Sequence, residues 1–250
     1  MQKLYVAMHK PYQIPDDPLY VPLQVGAAGR EAFCAVRDDA GENISQRNQS
    51  FCELTGLYWI RHNTDDDVAG LVHYRRYFSG RLRCCVNGRS RHILSDADVT
   101  ALMKDADIIL PRKRHYVIET TYSHYAHAHH EKDLQAMRRI IENRCPEYAA
   151  SFDTVMRRRS GHRFNMLIMK RNVLNEYCDW LFPLLFELEK QIDLSDYDAY
   201  NKRVFGFIGE RLLDVWLLNQ NYICKELKVV ETDEINWLIK GGRFLRRKFR

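Results

Sequence analysis

The sequence lacks a hydrophobic run long enough to cross a bilayer, and its first residues do not form the apolar core of a signal peptide. The longest apolar run, residues 180–186, is far shorter than the about 20 residues that a membrane-spanning helix needs. There are seven cysteines, an odd number without regular spacing, which argues against a disulfide framework. These absences predict a cytoplasmic protein with reduced thiols.

The sequence also lacks the strong charge of a dedicated nucleic-acid binder. Its 38 Lys and Arg residues against 33 Asp and Glu residues give a formal net charge of only +5. A field of that size does not hold a polyanion over a wide surface. We therefore expect no nucleic-acid partner, and a locally bound anionic ligand instead.

The hydrophobic pattern predicts an α/β fold with a mostly parallel central sheet in three layers. Residues 3–8 and 68–74 have the composition of strands, and residues 51–63 repeat apolar side chains at helical spacing, preceded by capping-box spacing from Ser50 to Glu53. Strand, helix, strand in succession predicts a parallel crossover. At 250 residues, 46% of them hydrophobic, the chain can bury a sizeable core.

Later segments continue this alternation of helices and strands. Prolines and glycines predict irregular backbone over residues 11–43, and the histidine-rich residues 122–130 read as a loop. Pro183 should kink or divide the long helix that follows Arg171. The other predicted elements are helices at residues 95–104, 133–143 and 207–218, and strands at 107–111 and 163–170.

The end of the second predicted strand is unusually rich in polar aromatic and cationic groups. His73, Tyr74, Arg75 and Arg76 follow the apolar Gly70-Leu71-Val72. Packing does not require this density, which predicts that the groups face a ligand. The alternative is an edge strand with its arginines in solvent.

Several motifs together resemble a family of bacterial glycosyltransferases of capsular and exopolysaccharide synthesis, long catalogued as a domain of unknown function. The motifs are Asn43-Ile44-Ser45, Cys52-Glu53-Leu54-Thr55 with Tyr58-Trp59, residues 70–78, Phe164-Asn165-Met166 and residues 203–212. The resemblance implies a Rossmann-like fold of the GT-A type over residues 1–235. It implies transfer of a sugar, a galactofuranosyl or another hexosyl group, from a nucleotide-sugar donor to a lipid-linked saccharide acceptor.

Such a transfer requires stabilisation of a nucleoside diphosphate leaving group, by a divalent cation or by cationic side chains. The acidic run Asp65-Asp66-Asp67 precedes its strand and is expected to be a solvated turn, although Mg²⁺ or Mn²⁺ remains a possible cofactor. Arg75 and Arg76 are at the strand end and can clamp phosphate oxygens without a metal. Both can face one ligand only if the backbone turns between them.

Further donor contacts are predicted at the end of the first strand and in a second motif. His9 and Lys10 leave that strand and are candidates for the phosphates, with a plain surface loop as the alternative. Asn165, predicted on an apolar strand, could bind a sugar hydroxyl or satisfy the backbone.

Glu210 is the predicted general base, since it follows a glycine-bearing helix start where the resemblance implies a carboxylate that deprotonates the acceptor. Its alternative is interaction with the helix dipole or with Arg211. Asp196 and Asp198 are the reserve candidates.

The histidines could serve as a zinc site or as a loop over a sugar, with His127 and His130 on the acceptor side. The histidine-rich segment also comprises His124 and His129. A metal-dependent hydrolase built on these histidines and a non-catalytic nucleotide- or sugar-binding module are therefore the alternatives to a transferase.

The C-terminal residues 236–250 alternate apolar and basic side chains. A segment of this kind can lie on an anionic membrane, and peripheral membrane contact is expected. The alternative is a disordered, merely solubilising tail.

Overall fold

The computed structural model describes residues 1–86 and 89–232. The predicted C-terminal tail, residues 236–250, lies outside the described residues. Among the residues described, no helix combines the length and apolarity that crossing a membrane requires.

The described chain alternates strands and helices throughout. The strands are β1 (Gln2–Met8), β2 (Tyr20–Gln24), β3 (Val36–Arg37), β4 (Val68–His73), β5 (Arg76–Val86), β6 (Arg89–Ile93), β7 (Ile108–Pro111), β8 (Arg114–His115), β9 (Ser160–Gly161), β10 (Leu167–Lys170), β11 (Cys224–Leu227) and β12 (Val229–Glu231). The α-helices are α1 (Asn48–Phe51), α2 (Leu54–Asn63), α3 (Asp96–Met103), α4 (Thr121–Ala128), α5 (Glu131–Arg144), α6 (Ala149–Arg157), α7 (Arg171–Gln191) and α8 (Val204–Leu217).

The central sheet has the strand order β11-β7-β10-β4-β1-β2-β3. Along this path β10 pairs antiparallel with both neighbours, and the other pairs are parallel. Strand β5 turns back antiparallel from β4 and pairs with β6 and β12. The predicted α/β class with a mostly parallel sheet is confirmed, and so is the parallel crossover from β1 through α2 to β4.

The sheet is buried on both faces, as a crossover fold requires. Along β1, Tyr5 and Ala7 belong to one hydrophobic layer, and Leu4, Val6 and Met8 belong to the other. The first layer includes α2 and α5 to α8, whereas the second includes α3 and the β5 hairpin.

Gly70 lies at the closest approach of three strands. A Cβ atom there would be 2.6 Å from Leu4 Cδ2 and 2.8 Å from the backbone oxygen of Leu167. Because β10 is paired with β4 along this stretch, the backbone oxygen of Leu167 cannot move far away. Glycine therefore allows β4 to occupy the centre of the sheet.

Four element predictions were wrong, and two of them fall in the first third of the chain. The stretch predicted as irregular contains β2 and β3. Pro22 is tolerated in β2 because β3 pairs only with Leu23 and Gln24. The capping box at Ser50 does not form, because Cys52 has a φ of 54° and separates α1 from α2.

The other two wrong predictions concern the second half. The predicted strand at residues 163–170 starts only at Leu167, because Phe164 and Asn165 have left-handed backbone. The histidine-rich segment is mainly helix α4, capped by Thr120 and Ser123, rather than a loop. Helix α7 continues through Pro183 without being divided. Helix α6 and strands β5, β6, β8, β9, β11 and β12 were not predicted.

Candidate functional site

A cleft of about 510 Å³ opens at the carboxyl ends of β1, β2 and β4. Ligands of open α/β sheets bind at this edge, because the strands end there and loops of variable sequence begin. The cleft is lined by Ala7, His9, Val25, Arg30, Asn48, Gln49, Cys52, Glu53, His73, Tyr74, Arg75, Arg76, Ala199 and Arg203. Its titratable groups therefore include four guanidiniums, two imidazoles and a single carboxylate.

The stretch predicted to face a ligand forms a tight turn at this edge. Strand β4 ends at His73, which pairs with Arg76 at the start of β5. The backbone thus turns through Tyr74 and Arg75, and both arginines line the cleft. This turn supplies the geometry that two adjacent arginines need in order to face one ligand.

The two arginines lie against different aromatic rings. The Arg75 guanidinium carbon is 4.8 Å from the centre of the Tyr74 ring, and that of Arg76 is 4.3 Å from the centre of the Phe164 ring. Arg163 contacts the same Phe164 ring at 4.6 Å. Cation–π contacts of this kind help to hold a guanidinium in place, and Arg76 Nε also lies 4.0 Å from Glu231 Oε1.

Of the two predicted contacts after β1, one lines the cleft. The His9 Nε2 atom is 3.3 Å from the Tyr74 hydroxyl, and partial burial, followed by the Arg75 charge, lowers the pKa of His9. Lys10 is exposed and is not part of the cleft lining.

A left-handed turn at Phe164 and Asn165 connects the cleft to helix α8. Their φ angles are 78° and 49°, values that are uncommon for phenylalanine and more readily adopted by asparagine. The Phe164 carbonyl oxygen is 2.7 Å from His73 Nε2, and its N–H donates to Glu210 Oε1 at 2.8 Å. Strained backbone held by several partners is typical of functional sites.

Asn165 fixes the carboxylate of the cleft rather than lining the cleft itself. Its side-chain amide donates to Glu53 Oε1 at 2.7 Å and to the Gly206 carbonyl at 3.1 Å. The Asn165 side chain is buried, and it lies in the turn instead of on the predicted strand.

Cys52, Glu53 and Arg203 line the cleft although they were not among the predicted site residues. Arg203 Nε donates to Cys52 Sγ at 3.1 Å. Burial raises the pKa of Cys52 to about 11, so its thiol is protonated near neutral pH and is not a ready nucleophile. The sequence could have indicated these three residues, because all three belong to motifs that carry the family resemblance.

Glu210 lies behind the turn and outside the cleft lining. Its Oε1 accepts the Phe164 N–H, and its Oε2 is 3.0 Å from an Arg211 guanidinium nitrogen. Burial raises the pKa of Glu210, although Arg211 acts in the opposite direction. The ion pair with Arg211 that was considered as its alternative role is therefore present.

The histidines of residues 122–130 have separate partners. His127 Nδ1 is 2.7 Å from Glu119 Oε1, and the His130 ring is 4.2 Å from the Tyr197 ring. Asp198 accepts the backbone N–H of Asn201 at 2.7 Å, and none of His127, His130 and Asp198 lines the cleft. Within residues 1–86 and 89–232, no three His, Cys, Asp or Glu side chains are grouped to hold a metal ion.

The acidic run before β4 lies at the amino end of that strand, away from the cleft. Asp66 is buried and accepts a hydrogen bond from the Tyr5 hydroxyl at 2.8 Å, and Asp67 pairs with the N-terminal ammonium. The expectation of a solvated turn is thus wrong for Asp66, which anchors β1 to β4.

Comparison with known proteins gives two matches. The profile of a domain of unknown function (DUF4422) matches residues 3–221. The apo structure of the WbbM bifunctional glycosyltransferase superposes with a TM-score of 0.84 at 29% sequence identity, over 93% of this chain and 45% of that one. No curated protein sequence matches. Since the profile covers most of its length, the chain belongs to the DUF4422 family.

Proposed function

We propose that this protein is a glycosyltransferase that moves a sugar from a nucleotide-sugar donor to a saccharide acceptor. The observation that carries the proposal is the arginine-lined cleft at the carboxyl edge of a sheet whose fold is shared with a bifunctional glycosyltransferase. The chain spans less than half of that protein, so the activity of this segment is our proposal.

The cleft is suited to a nucleoside diphosphate. Arg75 and Arg76 project from one tight turn, and Arg203 lies on the cleft wall. Planar guanidiniums can donate two parallel hydrogen bonds to phosphate oxygens, and they can stabilise the charge that develops on the leaving group. We assign the diphosphate to these arginines, with His9 beside it and Lys10 at its exposed margin.

The residues of the cleft do not fit a divalent cation well. Mg²⁺ and Mn²⁺ prefer several oxygen ligands, and Glu53 is the single carboxylate of the lining. Its Oε1 already accepts from Asn165. We therefore propose that the cationic side chains neutralise the diphosphate.

Two carboxylates are candidates for deprotonating the acceptor hydroxyl. Glu210, predicted from the sequence, has a pKa raised by burial, which suits a base that must accept a proton near neutral pH. Glu53 faces the cleft directly. Both are joined to the Phe164–Asn165 turn, so substitution of each to glutamine separates the two assignments.

The finer features of the reaction are proposals that rest on the family resemblance. They comprise a galactofuranosyl or other hexosyl donor, a lipid-linked acceptor, a role in cell-surface polysaccharide synthesis, and a cytoplasmic location with membrane contact through residues 236–250. His127, His130 and Asp198 remain proposed acceptor-side groups.

Turnover tests the proposal against a binding module. The purified protein is incubated with a set of nucleotide sugars and saccharide acceptors, and release of nucleoside diphosphate is measured. We expect acceptor-dependent release with at least one donor. Donor binding without release from any pair would identify a non-catalytic module. A histidine-built hydrolase would require zinc in stoichiometric amount, which metal analysis of the same sample measures.

A further inference from the structure

We infer that the loop at Val117 and Ile118, with the arginines around it, is a membrane-docking surface that inserts into an anionic bilayer. This surface is separate from the predicted C-terminal tail. Val117 is 88% exposed and Ile118 is 62% exposed. These two adjacent aliphatic side chains form a small apolar patch, and removing such a patch from water is favourable.

The loop is held firmly at both ends. It leaves strand β8 at Tyr116, whose N–H donates to the Arg159 carbonyl at 2.7 Å, and it returns at Thr121, whose N–H donates to the Arg158 carbonyl at 2.7 Å. The Tyr116 ring is buried and stacks on His124 with centroids 4.3 Å apart. The exposure of Val117 and Ile118 is therefore a property of the folded chain.

Basic residues lie on the two chain segments that meet at this loop, one leading into β8 and the other leading from α6 into β9. They are Arg112, Lys113, Arg114, Arg157, Arg158 and Arg159. Lys113 lies 3.7 Å from Glu226, whereas Arg112, Arg157 and Arg159 are exposed and have no carboxylate partner among the residues the structure describes. The carboxylate of the loop, Glu119, pairs with His127.

Charge and shape together favour a bilayer as the occupant. An aliphatic tip beside two basic segments matches an anionic membrane, in which acyl chains lie below phosphate headgroups. Nucleic acid would use the cations but would leave Val117 and Ile118 exposed to water. A protein partner is the remaining possibility and is an outcome of the test.

The position of this surface brings the bilayer near the candidate site. Only residues 161–163 separate Ser160 of β9 from Phe164, a distance of at most about 14 Å for extended chain. A lipid-linked acceptor held at this surface could reach the cleft without leaving the membrane. The docking proposal itself does not depend on the transferase reaction, because vesicle binding needs no substrate.

Insertion is measured with the full chain and vesicles whose acyl chains carry bromine. Ile118→Trp places a fluorophore at the tip, and Ile223→Trp places one at another exposed isoleucine, 59% accessible. With vesicles containing phosphatidylglycerol, we expect bromine quenching of Ile118→Trp beyond that of the parent, which has four tryptophans. Ile223→Trp should show no such increase. Equal quenching of the two variants overturns the proposal, whatever the tail does.

Partition to the same vesicles provides a second measure. Replacing Val117 and Ile118 together with serine should weaken binding about tenfold or more, from the loss of apolar transfer. The double variant Arg157→Gln/Arg159→Gln should weaken it about fivefold per charge at low salt, and less at high salt. The matched control is Arg83→Gln/Lys104→Gln, two exposed cations on elements of the other hydrophobic layer. Unchanged partition of the loop variant, or equal losses in test and control charge variants, would count against this surface.

Discussion

His73 Nε2 lies 2.7 Å from the carbonyl oxygen of Phe164, a residue 91 positions later in the chain. This contact joins the end of β4 to the left-handed turn that also holds Glu210 and, through Asn165, Glu53. The arginine turn and both candidate bases are therefore mechanically connected. Substitutions on either side of the contact should produce measurable changes in donor affinity, turnover or stability.

Arg75→Ala and Arg76→Ala should each weaken nucleoside diphosphate binding by roughly 2–4 kcal/mol, because a charged contact to phosphate is lost. Lysine at either position should restore part of the loss, since it keeps the charge but lacks the planar fork. Isothermal titration measures both effects. Arg83→Ala, an exposed arginine farther along β5, is the control and should bind normally. Unaltered affinity in the test variants would mean that the turn is structural.

Donor binding should survive a chelator, because guanidiniums rather than grouped carboxylates line the cleft. The measurement is titration of nucleoside diphosphate with and without EDTA. A complete loss of binding that Mg²⁺ or Mn²⁺ restores would show that a metal ion supplies the phosphate contact after all.

Replacing the true base with glutamine should lower turnover by roughly a hundredfold or more and leave donor affinity nearly intact, since only proton transfer is lost. If Glu210 is the base, turnover should fall on the acid side of the pH–rate profile with an apparent pKa above that of an ordinary glutamate, because burial raises the pKa of Glu210. This fall should then disappear in Glu210→Gln. If turnover falls in Glu53→Gln alone, the base is the carboxylate inside the cleft, and Glu210 acts by holding the turn.

Asn165→Ala should destabilise the fold by about 1–3 kcal/mol, because it removes two buried hydrogen bonds and places alanine at a φ of 49°. Asn165→Gly loses the same hydrogen bonds but tolerates the left-handed backbone, so its loss should be smaller. Urea unfolding of the two variants compares them directly. Equal losses would indicate that the backbone geometry contributes little.

Because of His124, the folded protein should lose stability in mild acid. Burial, followed by the Arg211 charge, lowers the pKa of His124 to about 4. The unfolded chain therefore binds the proton first, and stability present above pH 6.5 is lost as pH falls toward 4. After allowance for partial exposure we expect a contribution of about 1–2 kcal/mol. His124→Phe keeps a ring against Tyr116 and should flatten the dependence of the unfolding free energy on pH over this range. An unchanged slope would contradict this assignment.

The parts of the fold that the sequence predicts correctly are those fixed by local pattern. Alternating apolar residues located β1 and β4, and Ser95 with Asp98 marked the capped start of α3. The density of cations after Val72 predicted groups that face a ligand at the end of β4, and His73, Arg75 and Arg76 line the cleft there; that they bind a ligand stays a prediction.

The missed features depend on contacts between distant segments. Phenylalanine has no preference for left-handed backbone, so the local sequence does not indicate a turn at Phe164. The turn is stabilised by hydrogen bonds with His73 and Glu210, which are distant in the sequence. Glu53 lies on the short connection between α1 and α2, and its carboxylate accepts a hydrogen bond from the distant Asn165. The segment that forms α4 was predicted to be a loop because it is polar throughout, and the capping residues Thr120 and Ser123 were not recognised as the start of a helix.

The Phe164–Asn165 turn also determines when the site can exist during synthesis. Its partners are spread along the chain, from Glu53 and His73 to Gly206 and Glu210. Since a chain is made from its N-terminus, the ribosome has released the arginine turn long before α8 can dock. A nascent or truncated chain that stops before residue 204 has the cations but lacks the groups that fix the turn. The proposed donor site is therefore completed late, when nearly all of the described chain has been made.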